Sequence, residues 1–321
     1  MKSKLFLVVL LVSSYSFGQM LNNIRGEAFT DEPFFNTENI QANKIKRIIG
    51  HFSTKRMNDQ IRPSDLIYVY EFDTLGRLVQ KYETVQTNVG LDTVVTQYAY
   101  NPNGFLKIKR KSDHYGFYAY LYEYDSIGRV VREEFRRDLN KGQDKIHFEL
   151  EKNFTITYET SSYQNYPGME KRIYYNSYGK PFQEKVSHFN ENDYLTEETE
   201  SLKVTSGNKN TTYIYNSKGL LQELKIVSTM MGKSEIKYIF EYDESNNNLL
   251  SKKVYRDSVY VSEIQIVYRR TTGLIQAILT RQVSTNFITL LQFDKVEFYG
   301  EPENNPCDEK ETEKETIEKV D

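Results

Sequence analysis

The sequence predicts an all-β protein made of repeated antiparallel β-hairpins joined into one long, twisted sheet, open or curled, and three observations carry that expectation. One phrase recurs: Tyr68-Val-Tyr-Glu-Phe-Asp-Thr-Leu-Gly-Arg-Leu78 returns as Tyr120-Leu-Tyr-Glu-Tyr-Asp-Ser-Ile-Gly-Arg-Val130, with weaker copies elsewhere. Large side chains ahead of the phrase alternate, as at Tyr68, Tyr70 and Phe72 or Tyr238, Phe240 and Tyr242, and a period of two belongs to a strand. The Asp or Asn of the phrase stands at 73, 101, 125, 176, 216, 243 and, loosely, at Arg270. These positions fit a unit of roughly 26 residues.

Within each unit the phrase reads as a tight turn. The pairs Asp73 and Gly76, Asn101 and Gly104, Asp125 and Gly128, Asn176 and Gly179, and Asn216 and Gly219 place a side-chain acceptor three residues ahead of a glycine. Asp or Asn accepts from the backbone amide two residues on, and glycine takes the positive φ that closes a turn with a bulge. Leu78, Leu106, Val130, Leu221 and Ile275 restore an apolar contact two positions past their glycines. Pro181 holds that place in one unit, which predicts an edge or bent strand there. The long gaps hold decayed copies: Phe148 to Tyr158 reads as strands without the turn, and Phe189-Asn190-Glu-Asn-Asp193 keeps a turn with Asp in place of Gly.

This wording resembles the YD-repeat (Rhs-repeat) family, whose pattern runs Tyr-x-Tyr-Asp-x-x-Gly-Arg-Leu, and the match is closest at Tyr70 to Leu78 and Tyr122 to Val130. Degenerate copies included, it covers about residues 67 to 280. The resemblance implies a secreted or surface β-protein whose hairpins wind into a long twisted sheet, with sugar binding among the family's described properties. With so few units, an open, curled sheet with capped ends is expected.

The segments around the repeats follow in order. Lys2 and Lys4 precede the apolar run Leu5 to Val12, and Ser16 and Gly18 offer small residues at a cleavage site, so residues 1 to 18 read as a secretory signal and Gln19 as the mature N-terminus. The run is short for a membrane-spanning helix, and no later stretch approaches the required length. Residues 19 to 66 read as an N-terminal cap, where Ile45, Ile48, Ile49 and Phe52 suit a short helix or an irregular strand pair. Residues 67 to 300 form the repeat domain, closed by strands rich in Phe and Leu after residue 282. Residues 301 to 321 carry nine acids against three lysines and no aromatics, and read as a disordered tail.

The composition narrows function by exclusion. Apart from the signal and the tail the charge is close to neutral, which argues against nucleic-acid binding. Cys307 is the one thiol, so no intrachain disulfide forms, and its acidic setting does not suit a nucleophile. His51, His114, His147 and His188 lack metal-ligand spacing, and one Asp per repeat falls short of a calcium loop, so no metal or cofactor is expected. No nucleophile elbow or phosphate loop is present.

What remains is a noncatalytic scaffold or binding module for an envelope polysaccharide or protein, exported to the periplasm, the cell surface or the medium. Its expected binding row is Tyr70, Tyr100, Tyr122, Tyr215 and Tyr242, since tyrosines stack on sugar rings and anchor protein partners. The alternative is a hydrolase of envelope polymers using two carboxylates, for example from among Glu133, Glu134, Glu197 and Glu198.

Overall fold

Each strand pairs with its neighbours in the chain, and the last pairs round to the first. The structure, a computed structural model, describes residues 19–29, 34–88, 90–113, 116–142, 144–230 and 232–300. The expected signal, the acidic tail with Cys307, and His114 lie outside the described residues. Helix α1 (Thr37–Ala42) precedes β1 (Ile45–Lys55), β2 (Arg62–Phe72), β3 (Leu78–Thr87), β4 (Gly90–Tyr100), β5 (Leu106–Asp113) and β6 (Gly116–Tyr124). Then come β7 (Val130–Asn140), β8 (Leu150–Tyr166), β9 (Met169–Tyr175), β10 (Pro181–Phe189), β11 (Leu195–Leu202) and β12 (Asn208–Tyr215). The chain ends in β13 (Leu221–Ser228), β14 (Ser234–Tyr242), β15 (Leu249–Arg256), β16 (Val259–Tyr268), β17 (Ile275–Gln282) and β18 (Phe287–Phe298).

The hairpin repeat is present, but the expected open or curled sheet is corrected: the sheet closes. β18 pairs antiparallel with β1 from Ile45↔Phe298 to Lys55↔Ile288, and β1 pairs with β2 through Ile48↔Tyr70. Residues 45–55, read as cap, thus form the strand that satisfies both edges of the sheet at once. Gly50 permits it, since a Cβ there would run into Leu291 and Phe293 on β18. Pro181 opens β10 at a register shift, so the strand bends there, but it has partners on both sides and is no edge.

Alternation gives the wall two chemistries. The inner face carries Tyr70, Phe72, Tyr213, Leu224, Phe240, Ile266, Ile278 and Leu291, and residues 20–29 and 34–40 fill that side of the lumen with Met20, Leu21, Phe34, Phe35 and Ile40. Phe35 sits edge-on to Tyr70 and Phe72, with ring centres 5.0 Å apart in each pair. Asn23 Nδ2 donates to Tyr242 Oη at 2.9 Å, and Lys252, 2% exposed, lies 4.6 Å from the Tyr238 ring centre and donates to the Ala28 carbonyl. The outer face carries cross-strand ion pairs, among them Lys171–Glu184, Lys225–Glu235, Arg281–Glu263 and Arg47 with Glu71 and Glu297.

Closure requires stagger between strands, and much of it falls at β8. Residues from Leu150 to Thr160 pair with β7, whereas pairing with β9 runs from Thr160 to Tyr166. The wall therefore steps at Thr160, leaving 150–157 exposed and paired on the β7 side alone. Register shifts on both sides of the stretch 152–155 twist this edge, which blunts it against strand addition.

Candidate functional site

The repeated phrase holds the wall together, and each of its residues has a structural task. Asp73 Oδ1 accepts from the amides of Leu75 (3.0 Å) and Arg77 (2.9 Å), and Asp73 Oδ2 pairs with the Arg77 guanidinium at 2.6 Å. Asp125 repeats the pattern with Ile127 and Arg129, while Asn176 and Asn216 accept from the amides two and four residues on, and Asn101 from Phe105. Gly76, Gly104, Gly128, Gly179 and Gly219 all have positive φ, between 71° and 88°. The decayed copy keeps its geometry with Asp193 at φ 60°. The last two turns are one residue longer, with Asn247 and Gly273 bonding back to Asp243 and Arg269, so the final turn starts at Arg269.

The tyrosine before the turn is a latch. Tyr100 Oη donates to the Leu78 carbonyl (2.7 Å), Tyr215 to Leu195 (2.8 Å) and Tyr242 to Leu221 (2.8 Å). Tyr124 and Tyr268 do the same to Leu106 and Leu249. Each hydroxyl ties the end of one strand to the start of the preceding return strand. The Arg of the phrase then stacks on the next latch, with Arg77 4.7 Å from the Tyr100 ring centre. Burial pushes the Tyr242 hydroxyl up to about 12 and raises that of Tyr100, with the Asp73 charge adding to it.

The expected binding row is therefore corrected. Tyr70 is 4% exposed in the core, and Tyr100, Tyr215 and Tyr242 are latches facing inward. A tyrosine repeated at the strand end is there because the wall needs its hydroxyl. Tyr122, the remaining member, lies opposite Glu133 and has its hydroxyl pKa raised by burial, then by the Glu133 charge.

Near Tyr122 the lumen opens into a cavity of about 560 Å³ at the step in the wall. Tyr120, Phe135 and Phe182 supply aromatic walls, Glu133 and Glu159 supply carboxylates, and Asn176 stands at the turn where the wall steps. Tyr120 is 38% exposed, with its ring 4.9 Å from that of Phe135. Strands alternate in direction, so the turn after β9 points to the opposite end of the barrel from those after β2, β4, β6 and β12. Asn176 and Gly179 are thus a displaced copy, and the short β9 before them makes the step.

Glu133 and Glu159 are directly opposed across β7 and β8. Like charges so placed repel. Burial, then the Glu159 charge, raises the Glu133 carboxyl above the usual range, with Arg172 opposing; burial likewise raises Glu159 against Arg172. Arg172 is itself engaged, donating to Ser161 Oγ at 2.9 Å and lying 4.1 Å from the Tyr174 ring centre.

The carboxylates named from sequence do not pair with one another here. Glu134 points to the other face and accepts from Thr155, Glu197 accepts from Asn210, and Glu198 is held by Tyr213 and Lys185. Glu159, the actual partner of Glu133, carries no sequence signal, because its position depends on a bulge in β8 between Thr155 and Thr157. His51 and His147 pair with Asp294 and Asp144.

No protein-family model and no curated protein matches the chain. Among solved structures, it is similar to a porin-like protein from Bacteroides uniformis, with 12% identity, 79% of this chain and 98% of that one covered, and a TM-score of 0.35. A porin-like protein from Bacteroides vulgatus shows 10% identity, coverage of 79% and 98%, and a TM-score of 0.31. The structure described as TcdB2-TccC3-TEV shows 14% identity, coverage of 74% and 15%, and a TM-score of 0.23. Likenesses at this level do not establish a shared fold or function.

Proposed function

We propose that this protein is an exported, noncatalytic barrel of YD-repeat type that holds a carbohydrate in the cavity at the step of its wall. One observation carries the reading: in a lumen packed on one side by residues 20–29 and 34–40, this cavity combines open aromatic faces with two carboxylates. Aromatic rings stack on sugar rings, and carboxylate oxygens accept from sugar hydroxyls. The YD-type relation is supported by the task each phrase residue performs. The leader-like sequence at the start supports export. The outer wall supports a barrel standing in water, because a Lys or Arg facing lipid at mid-depth costs about 2–4 kcal/mol and this wall carries many.

Isothermal titration against a panel of envelope-derived oligosaccharides tests the reading. Saturable binding is expected, with Tyr120→Ala weakening it about tenfold at an unchanged melting temperature. A panel blank for the wild-type protein overturns it.

The facing carboxylates favour one second reading, a glycoside hydrolase in which Glu133 and Glu159 act together, since paired acids with raised pKa serve acid and base roles. Product formation that disappears in both Glu133→Gln and Glu159→Gln would put this enzyme in place of the binding barrel.

A further inference from the structure

The cavity described above has a charge balance that the carbohydrate reading alone does not use. Its lining contains two carboxylates, three aromatic rings (Tyr120, Phe135 and Phe182) and no cationic side chain. The nearby cations are hydrogen-bonded or stacked on other partners, and of them Arg172 reaches both carboxylates with its charge. Arg172 lies against Tyr174 and Ser161, and Arg132 is paired with Glu134 and stacked 4.2 Å from the Tyr158 ring centre on the other face. Two opposed carboxylates cost the empty barrel stability. A ligand cation seated between them would remove that cost, and the electron-rich faces around it add to the attraction.

We infer that the ligand carries an ammonium group, held between Glu133 and Glu159 against the aromatic walls, so that the sugar recognised is an amino sugar with a free amine. This rests on the carbohydrate reading for the sugar, and on the cavity's own chemistry for the amine. The raised carboxyl pKa values agree with it, because a cation restores the charged forms. The step in the wall beside Asn176 supplies a lateral entrance, so a chain end or an internal unit can enter without threading the lumen. The titratable groups facing the pair are Tyr122 on β6 and Arg172 and Tyr174 on β9. Of these, Arg172 is the one that competes with a ligand ammonium.

Three hexasaccharides separate the two layers of the argument: β-1,4-linked glucosamine with free amines, its N-acetylated counterpart, and cellohexaose, each titrated into the full chain beside simple alkylammonium ions. The free-amine oligomer is expected to bind at least about tenfold tighter than either neutral one. That advantage is lost in Glu133→Gln and Glu159→Gln and fades as pH falls toward 4.5, the ordinary carboxyl value. Arg172→Gln, which removes the competing cation, should strengthen amine binding and leave cellohexaose unchanged. Equal binding of all three sugars overturns the ammonium inference and leaves the carbohydrate reading standing. Binding of alkylammonium ions without any sugar preference does the reverse. Failure of every amine to bind overturns the inference outright.

Discussion

At the scale of single residues, the phrase Tyr-Asp-x-x-Gly-Arg is a small machine for joining hairpins. Asp caps the turn, Gly takes the positive φ, Arg neutralises the Asp, and Tyr reaches back to the previous repeat. A buried hydroxyl bonded to a carbonyl contributes about 0.5–1.5 kcal/mol, so Tyr242→Phe should destabilise by about 1 kcal/mol in urea titrations. A variant as stable as wild type would deny the latch. Glycines differ in what surrounds them. A Cβ at Gly76 would collide with the Thr37 carbonyl and Gln41 of α1, whereas one at Gly179 meets nothing. Both strain φ, but Gly76→Ala should cost at least about 1 kcal/mol more, and equal midpoints would show that α1 does not rest on that turn.

At the scale of elements, β8 decides the molecule's shape. One strand of 17 residues serves two partners at different heights, and this places Glu133 and Glu159 side by side at the step. Both carboxyls are raised in the folded state, so the neutral form is the one the fold favours. Their stabilising contribution is complete below the unfolded value near 4.5 and is lost as pH rises through the folded values. Glu133→Gln should therefore be more stable than wild type at pH 7, by up to about 1 kcal/mol, and indistinguishable from it below pH 4.5. Thermal melts across that range check it, and a variant less stable at pH 7 would contradict the repulsion. The hairpins themselves were legible because turn chemistry and alternation are local. The Glu133–Glu159 pair was not, since one bulge residue in β8 reverses which side chains face the lumen.

At the scale of the whole molecule, the inner face joins an apolar core to charged groups such as Lys252, Glu133 and Glu159, the outer face carries ion pairs, and the N-terminal segment fills one side of the lumen. Met20, Leu21, Phe34, Phe35 and Ile40 are each buried against the wall. At about 1.5–3 kcal/mol per side chain, their loss rivals the net stability of a typical domain, about 5–15 kcal/mol. Deleting residues 19–42 should expose the aromatic inner face, raise dye binding and remove cooperative unfolding. A truncated chain with a sharp, unshifted melt would mean that the wall stands without its plug.

The chain on its own settled the strand content, the turn positions and the alternation of faces, because each of these is decided within about a dozen neighbouring residues. Closure was beyond its reach. Residues 45–55 look unremarkable until β18, more than 230 positions away, arrives as their partner. The tyrosines carried a second ambiguity: a ring that alternates along a strand looks the same whether it stacks on a ligand or latches a neighbouring hairpin, and the Leu78, Leu195 and Leu221 carbonyls resolve it. Pairing register and closure are contacts between distant segments, and local pattern leaves them open until the strands meet.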